Sequence, residues 1–527
     1  MTLARTAIRL SLVPQLIVLM GLLLGCGASP PAEDAAVALA DTDPDSMVLP
    51  AGATIADGAD TGDAEPDAND AADQFPQDTA DAADIAPSIP PVVDLGPPYA
   101  LSGFGCALPD PPSPSAECAI KVCPEGQGCM GAGHCHPLVP TLLDDPPGGA
   151  LNPSVAVNGD FWGIAYSTRA PDQNSLNLQV RIFGEDGAAV GDPLSLTNET
   201  TVWHQSPQLF STGEHGWLVS WIAQDLLTDF ETLRIRPIAQ DGTASGAEIV
   251  IAQQVYEWPS NVRGARFAKL PVEGTAIAVW AGSTQGDKQA VYSQPLNLDG
   301  KMLAAPIKLS KPNDKAYSAS VAPLPDGALV VWASWLDFYK PNPIRVIARK
   351  LRPDGVPAAP EFQLPAFGKP YEGQPSVVGF PDGSAFVARA LGKIQTISCP
   401  VDYDGLLLAQ SAPTAIIKEL PKFGYDTSST MFQAPMAAHF PGRAVVVWHD
   451  YGTGGSIYLR HYYRNINAMD CDATDVAAPN VANASTYYSG PSVATFDDGR
   501  VLVAWSTQTK DATGLQTMRT VVRFLPQ

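Results

Sequence analysis

Short, continuously apolar runs, most of them ending in an aromatic residue, recur along the chain beyond residue 150. They read WGIAY to Tyr166, WLVSW to Trp221, AIAVW to Trp280, ALVVW to Trp332, SAFVA to Ala388, AVVVW to Trp448 and VLVAW to Trp505. Their spacings of 55, 59, 52, 56, 60 and 57 residues are regular enough to mark a repeat architecture. Apolar residues that do not alternate with polar ones predict strands covered on both faces.

Each copy has the same grammar around that strand. A short strand such as PSVAV from Pro153, PSVVG from Pro375 or PSVAT from Pro491 precedes it, often through a turn such as Asp326-Gly327, Asp382-Gly383 or Asp498-Gly499. A variable loop follows, and then a third strand such as LNLQVRIF or IRVIARKL. That strand runs into a second Asp-Gly turn, at Asp186-Gly187, Asp241-Gly242, Asp299-Gly300, Asp354-Gly355 and Asp404-Gly405. Asp-Gly between apolar runs is a strong hairpin signal, because the turn requires positive φ. A weaker fourth strand such as EFQL closes the unit. Four antiparallel strands per unit, covered on both sides by copies of the unit, describe an all-β, seven-bladed β-propeller over residues 137–527. Tandem sandwich domains need about 100 residues per unit, and a solenoid needs capping ends.

The last copy stops after its third strand, GLQTMRTVVRFL. The missing fourth strand is expected from the start of the domain. LVPTLLDD at 138–145 stands before the first PSV as EFQLPAFG stands before Pro375. An N-terminal strand would then close the last blade and leave no open edge between first and last.

Charge is unevenly spread. Of a net −23, residues 31–98 hold 16 Asp or Glu and no Lys or Arg. An acidic balance without a basic stripe excludes nucleic acid as the expected partner. This Ala, Asp and Pro-rich text has little to bury and is expected to be a disordered stalk. With 72 residues from Gly27 to Pro98, it would span roughly 45 Å. The chain begins MTLARTAIRLSLVPQLIVLMGLLLGCG, with two arginines, an apolar core and small residues at its end, which is an export signal. Its end, Leu23-Leu24-Gly25-Cys26, resembles the lipobox of bacterial lipoproteins. The resemblance implies cleavage after residue 25, lipidation of Cys26 and a stalk over 26–98. Gly27 in place of Asp implies outer-membrane sorting, on a side the sequence does not specify. As a whole the chain resembles bacterial surface lipoproteins that display a propeller on such a stalk, a group with no fixed activity.

Residues 99–136 carry Cys106, Cys118, Cys123, Cys129 and Cys135, and an exported segment so short and cysteine-dense reads as a disulfide framework. His134 and His136 flank Cys135, but paired Cys-x2-Cys spacing is missing, so no metal is assigned. Five is odd. Cys399 and Cys471, at corresponding turns of neighbouring copies, either pair with each other, the favoured reading, or one of them ties back to the knot.

In a propeller the tight turns share one face and the long loops the other, and binding residues concentrate on long loops. The loops between copies carry Trp203, His204, Tyr256, Trp258, Tyr317, Tyr371, Tyr425, Tyr487 and Tyr488. Those after the apolar strand carry Asp225, Asp229, Asp287, Asp337, Asp450 and Asp511. Aromatics stack on sugar rings or peptide side chains and carboxylates accept hydroxyl hydrogens, so this face is the candidate binding surface for a glycan or protein in the envelope or outside. No HExxH, GxSxG or Walker-type loop is present, no cofactor is implied, and no catalytic residue is assigned. The alternatives are a polysaccharide hydrolase using paired carboxylates from different blades, and an envelope scaffold.

Overall fold

The computed structural model describes Cys123, residues 127–130, 134–137, 141–143 and 149–525. The last range has gaps at 170–174, 229, 254–263, 283–288, 313–314, 336–344, 365–371, 393–400, 409–415, 427–435, 441–442, 451–455, 464–467, 470–473, 477–483, 487–490 and 511–515. Cys26, the stalk, Cys106, Cys118, Cys399 and Cys471 therefore lie outside the described residues, as does the pairing expected for the last two.

The strands fall into consecutive antiparallel units, in each of which the apolar run is the second strand. The first unit is Ala150–Asn158, Phe161–Arg169, Leu176–Gly184 and Leu194–Ser195. The second is Val202–Gly213, Gly216–Asp225, Glu231–Ile238 and Ile249–Gln253, joined to the first by a single parallel bridge from Leu176 to Trp203. Three further four-stranded sheets begin at Arg266, Lys315 and Glu372. A sheet beginning at Met436 has two short pieces, Ala468–Met469 and Thr474–Asp475, along its third strand. The last is built on Val501–Lys510 and Gln516–Leu525. Its fourth strand is Thr141–Leu142, with Thr141 opposite Val522 and Leu142 opposite Val521. Of the N-terminal clasp expected at 138–145, the described residues 141–143 are thus in place on the last blade.

Seven apolar clusters sit between these sheets, each shared by two consecutive ones. The cluster of Leu143, Trp162, Ile164 and Tyr166 with Phe496, Leu502, Val522 and Phe524 joins the last sheet to the first. Packed in this cyclic order, the sheets are the blades of a β-propeller, numbered 1 to 7 from Ala150. The apolar strands are buried along nearly their whole length (all but the last two residues in Gly216–Asp225), because each faces a neighbour on both sides.

The repeated Pro-Ser has a structural reason. The first strands carry a bulge between Leu151 and Ser154, Gln205 and Gln208, Tyr317 and Ser320, and Gly373 and Ser376. Asn152, Ser206 and Ser318 take the positive φ that this geometry demands, at 52°, 54° and 52°. The bulge aims a serine at the next blade. Ser154 Oγ accepts the Leu209 N–H at 3.0 Å, Ser320 that of Val377 at 3.3 Å, Ser376 that of Ala437 at 3.2 Å, and Ser492 that of Val155 at 3.0 Å. Blade 2 has Gln208 instead, and there Gly264 N–H donates to the Ser206 carbonyl.

Glycines at the second turn have positive φ, from 80° at Gly355 to 87° at Gly242, as the Asp-Gly signal requires. Asp404-Gly405 is a correction. These residues lie inside the strand Val401–Leu408, Asp404 opposite Arg389 and Gly405 opposite Ala388, so the third strand of blade 5 lies later than the sequence suggested. A local turn preference lost to pairing along the whole strand.

Deleting residues 138–145 should abolish the cooperative unfolding transition, whereas removing 27–98 should leave its midpoint unchanged by calorimetry. Ser492→Ala strands the buried Val155 N–H and should lower stability by about 1–2 kcal/mol in denaturant titration.

Candidate functional site at the blade 7–blade 1 seam

The Cys-rich segment contributes a hairpin, Gln127–Met130 paired with His134–Pro137, and its Cys123–Cys135 disulfide spans 12 residues. Cys129 lies opposite Cys135 in the hairpin. His136 is buried within the propeller seam: its ring stacks on Phe524 at 4.1 Å and 14°. The hairpin is therefore seated on the ring, past the boundary at 136 drawn from sequence.

Beside it lies Arg500, which is 1% exposed. Its guanidinium donates to His136 Nε2 at 2.8 Å, to Asp498 at 2.7 Å within its own blade and to Glu185 of blade 1, and it sits 4.2 Å over the Phe496 ring. Arginine can only donate, so His136 accepts through a bare Nε2 and is neutral in this arrangement. One cation thus ties together the hairpin, the last blade and the first.

Next to this staple a cleft of about 340 Å³ opens between hairpin, clasp and first blade. Trp162, Phe183 and Phe524 form its apolar wall, with Trp162 and Phe183 stacked at 4.0 Å, and Gln127, Thr141, Arg181 and Asp186 are its polar lining. The second-turn glycine Gly242 packs on Ile182 of the preceding blade, Gly300 on Leu218, and Gly355 on Pro295. Among the described residues nothing packs on Gly187 in this way, and Gly187 lines the cleft instead. It lies on the tight-turn face, opposite the loops favoured from sequence.

The sequence-predicted site residues are dispersed. Tyr256, Trp258, Tyr371, Tyr487, Tyr488, Asp229, Asp287, Asp337 and Asp511 lie outside the described residues. Tyr425 was expected in a loop and lies in the strand Ile416–Asp426, opposite Asp402, while Asp450 ends the strand Arg443–Asp450. Trp203 is half-buried in the first strand of blade 2. Its neighbour His204 is fully buried, so it offers no surface to a ligand. The Trp221 indole donates to His204 Nδ1 at 3.1 Å, and the Ser167 hydroxyl donates to the His204 carbonyl. Glu199, 3.4 Å from His204 Nε2, would favour an imidazolium. Burial and the nearby Arg234 guanidinium outweigh it and lower the pKa to about 4. Burial raises the Tyr317 hydroxyl well above the ordinary tyrosine range. Asp225 builds its own turn, accepting the N–H groups of Leu227 at 2.8 Å and Thr228 at 3.0 Å, and these bonds hold its carboxyl below the usual value. Among the described residues no group of three or more His, Cys, Asp or Glu is placed to hold a metal.

No protein-family model matches the sequence, and no curated protein sequence matches it. Solved structures similar to it include the polysaccharide lyase Uly1, with a TM-score of 0.44 and 10% identity over 79% of this chain and 95% of that one. Trypanosoma rangeli sialidase in complex with the inhibitor DANA has a TM-score of 0.38 and 10% identity, covering 73% of this chain and 58% of its own. The β-propeller domain of the Trilobed protease from Pyrococcus furiosus has a TM-score of 0.38 and 9% identity, with 73% and 97% covered.

Arg500→Met should cost about 3 kcal/mol, because Glu185 and Asp498 lose their shared cation, and denaturant titration would register it. His204, neutral when folded, takes up its proton more readily in the unfolded chain, whose imidazole titrates near 6.5. Its contribution is present in full above pH 6.5 and lost as pH falls toward 4, about 3 kcal/mol in all. His204→Gln should flatten the stability profile across that window.

Proposed function

We propose that this chain is a lipid-anchored binding protein of the bacterial envelope, attached through Cys26, sorted to the outer membrane and holding a seven-bladed propeller away from the lipid on its acidic stalk. The propeller recognises a glycan or protein partner and does so at the seam between blades 7 and 1. The observation that carries this reading is the solvent-open cleft of about 340 Å³, whose walls are locked by the hairpin, the clasp and Arg500. A volume of that size lies in the range of small-ligand pockets, and a wall fixed before binding spares the ordering cost that weakens association. Of the acids on the loops after the apolar strands, Asp225 is occupied in its own turn, so it lends no support to the hydrolase alternative.

Two experiments test the two halves. Growth with a labelled fatty acid should label the wild-type protein and not Cys26→Ala, which should leave the membrane fraction; equal labelling would refute the anchor. Full-length protein should bind saturably in a screen of glycans and envelope proteins. Ala189→Trp, which fills the cleft mouth, should abolish that binding and Trp203→Ala should preserve it. Binding that survives Ala189→Trp, or is absent from the start, would refute the seam as the recognition site.

A further inference from the structure

The blades act as controls for one another, and by that standard Arg181 is out of place. An arginine recurs three residues before the residue that opens the second turn, at Arg181, Arg236 and Arg349, and stands at the equivalent position in the last two blades at Arg460 and Arg523. Arg236 donates to the Leu196 carbonyl of the preceding blade at 3.4 Å, Arg349 to that of Leu309 at 2.5 Å, and Arg523 to that of Val476 at 2.6 Å. Arg236 and Arg349 also donate from Nε to a carbonyl ten residues on, Gly246 and Ala359, both at 3.1 Å. These carbonyls hold the arginines in the blade-to-blade framework.

At the seam the residue equivalent to Leu196, Leu309 and Val476 is Leu143, which lines the cleft together with Arg181. Leu143 N–H donates to the Thr520 carbonyl just as Leu196 donates to Leu178, Leu309 to Val291 and Val476 to Ile457. Yet Arg181 is bonded to neither kind of carbonyl among the described residues. Its guanidinium carbon lies 5.1 Å from the centre of the Phe183 ring. Blades 2 and 4 have Ile238 and Leu351 at that position, so attraction to an aromatic face, absent in those blades, accounts for the different pose. The consequence is a permanently charged fork on the wall of the seam cleft. Among the described residues no acid is ion-paired with it: Glu185 and Asp498 bond Arg500, and Asp186 Oδ1 accepts the Ala188 N–H at 2.9 Å.

We infer that the cleft binds an acidic sugar residue whose carboxylate pairs with Arg181, an inference that rests on the seam being the recognition site. Arg181 is half-buried on the cleft wall, and a carboxylate entering the cleft can accept charge-assisted hydrogen bonds from its terminal nitrogens. Around it Gln127, Thr141 and Asp186 present the donors and acceptors that sugar hydroxyls require, while Trp162 and Phe524 supply the apolar floor.

Titration calorimetry of the full-length protein with glucuronate, glucose and inorganic phosphate tests this. Glucuronate should bind about tenfold or more tightly than glucose, a preference that Arg181→Gln should erase. Because Arg181 makes no framework hydrogen bond, that variant should melt with the wild type, while Arg349→Gln, which loses two carbonyl bonds, should melt lower. The inference is overturned if glucuronate binds no better than glucose, if phosphate binds as tightly as glucuronate, or if Arg181→Gln keeps the preference. Should Ala189→Trp abolish partner binding in the screen while Arg181→Gln leaves it intact, the acidic-sugar assignment falls and the seam site stands.

Discussion

A ring of sheets folded from an open chain has one seam, and everything else in this propeller presupposes that it is shut. Six of the seven inter-blade cores form between blades adjacent in sequence; the seventh unites residues near 143–183 with residues near 494–524. Three devices act there together. Thr141–Leu142 satisfies the edge of the strand Gln516–Leu525, Ser492 takes the Val155 N–H, and Arg500 bonds hairpin and both blades at once. Leaving that edge bare would expose a strand to pairing with other chains. Closing it draws on contacts more than 300 residues apart, the costliest kind to form in loop entropy.

Repetition makes the remaining structure legible. The bulge in the first strands, the serine that bridges to the next blade and the arginine that reaches back to the preceding one are each reused. A residue that keeps its place in the pattern and abandons its bonds is therefore informative. Arg181 does so in the blade that meets the seam, on the wall of the cleft beside the hairpin.

His204 shows where reading along the chain fails. In a strand, successive side chains point to opposite faces, so Trp203 is half-buried and His204 fully buried although they are neighbours. An aromatic pair before a repeat signals a blade boundary equally well whichever member faces water. Arg500 was hidden for a different reason. It follows an Asp-Gly turn, as many ordinary surface residues do, and its partners His136 and Glu185 lie 364 and 315 residues away.

The period, the apolar strand at the centre of each blade and a closing strand within 138–145 are legible along the chain, because local patterning and turn chemistry repeat and any copy vouches for the others. Even the failure at Asp404-Gly405 belongs to a copy that had already lost its aromatic at Ala388. The seating of the hairpin, the burial of Arg500 and the freeing of Arg181 were decided only by the tertiary structure. Each depends on which side chains a closed ring brings face to face, and closure joins segments that share no local signal.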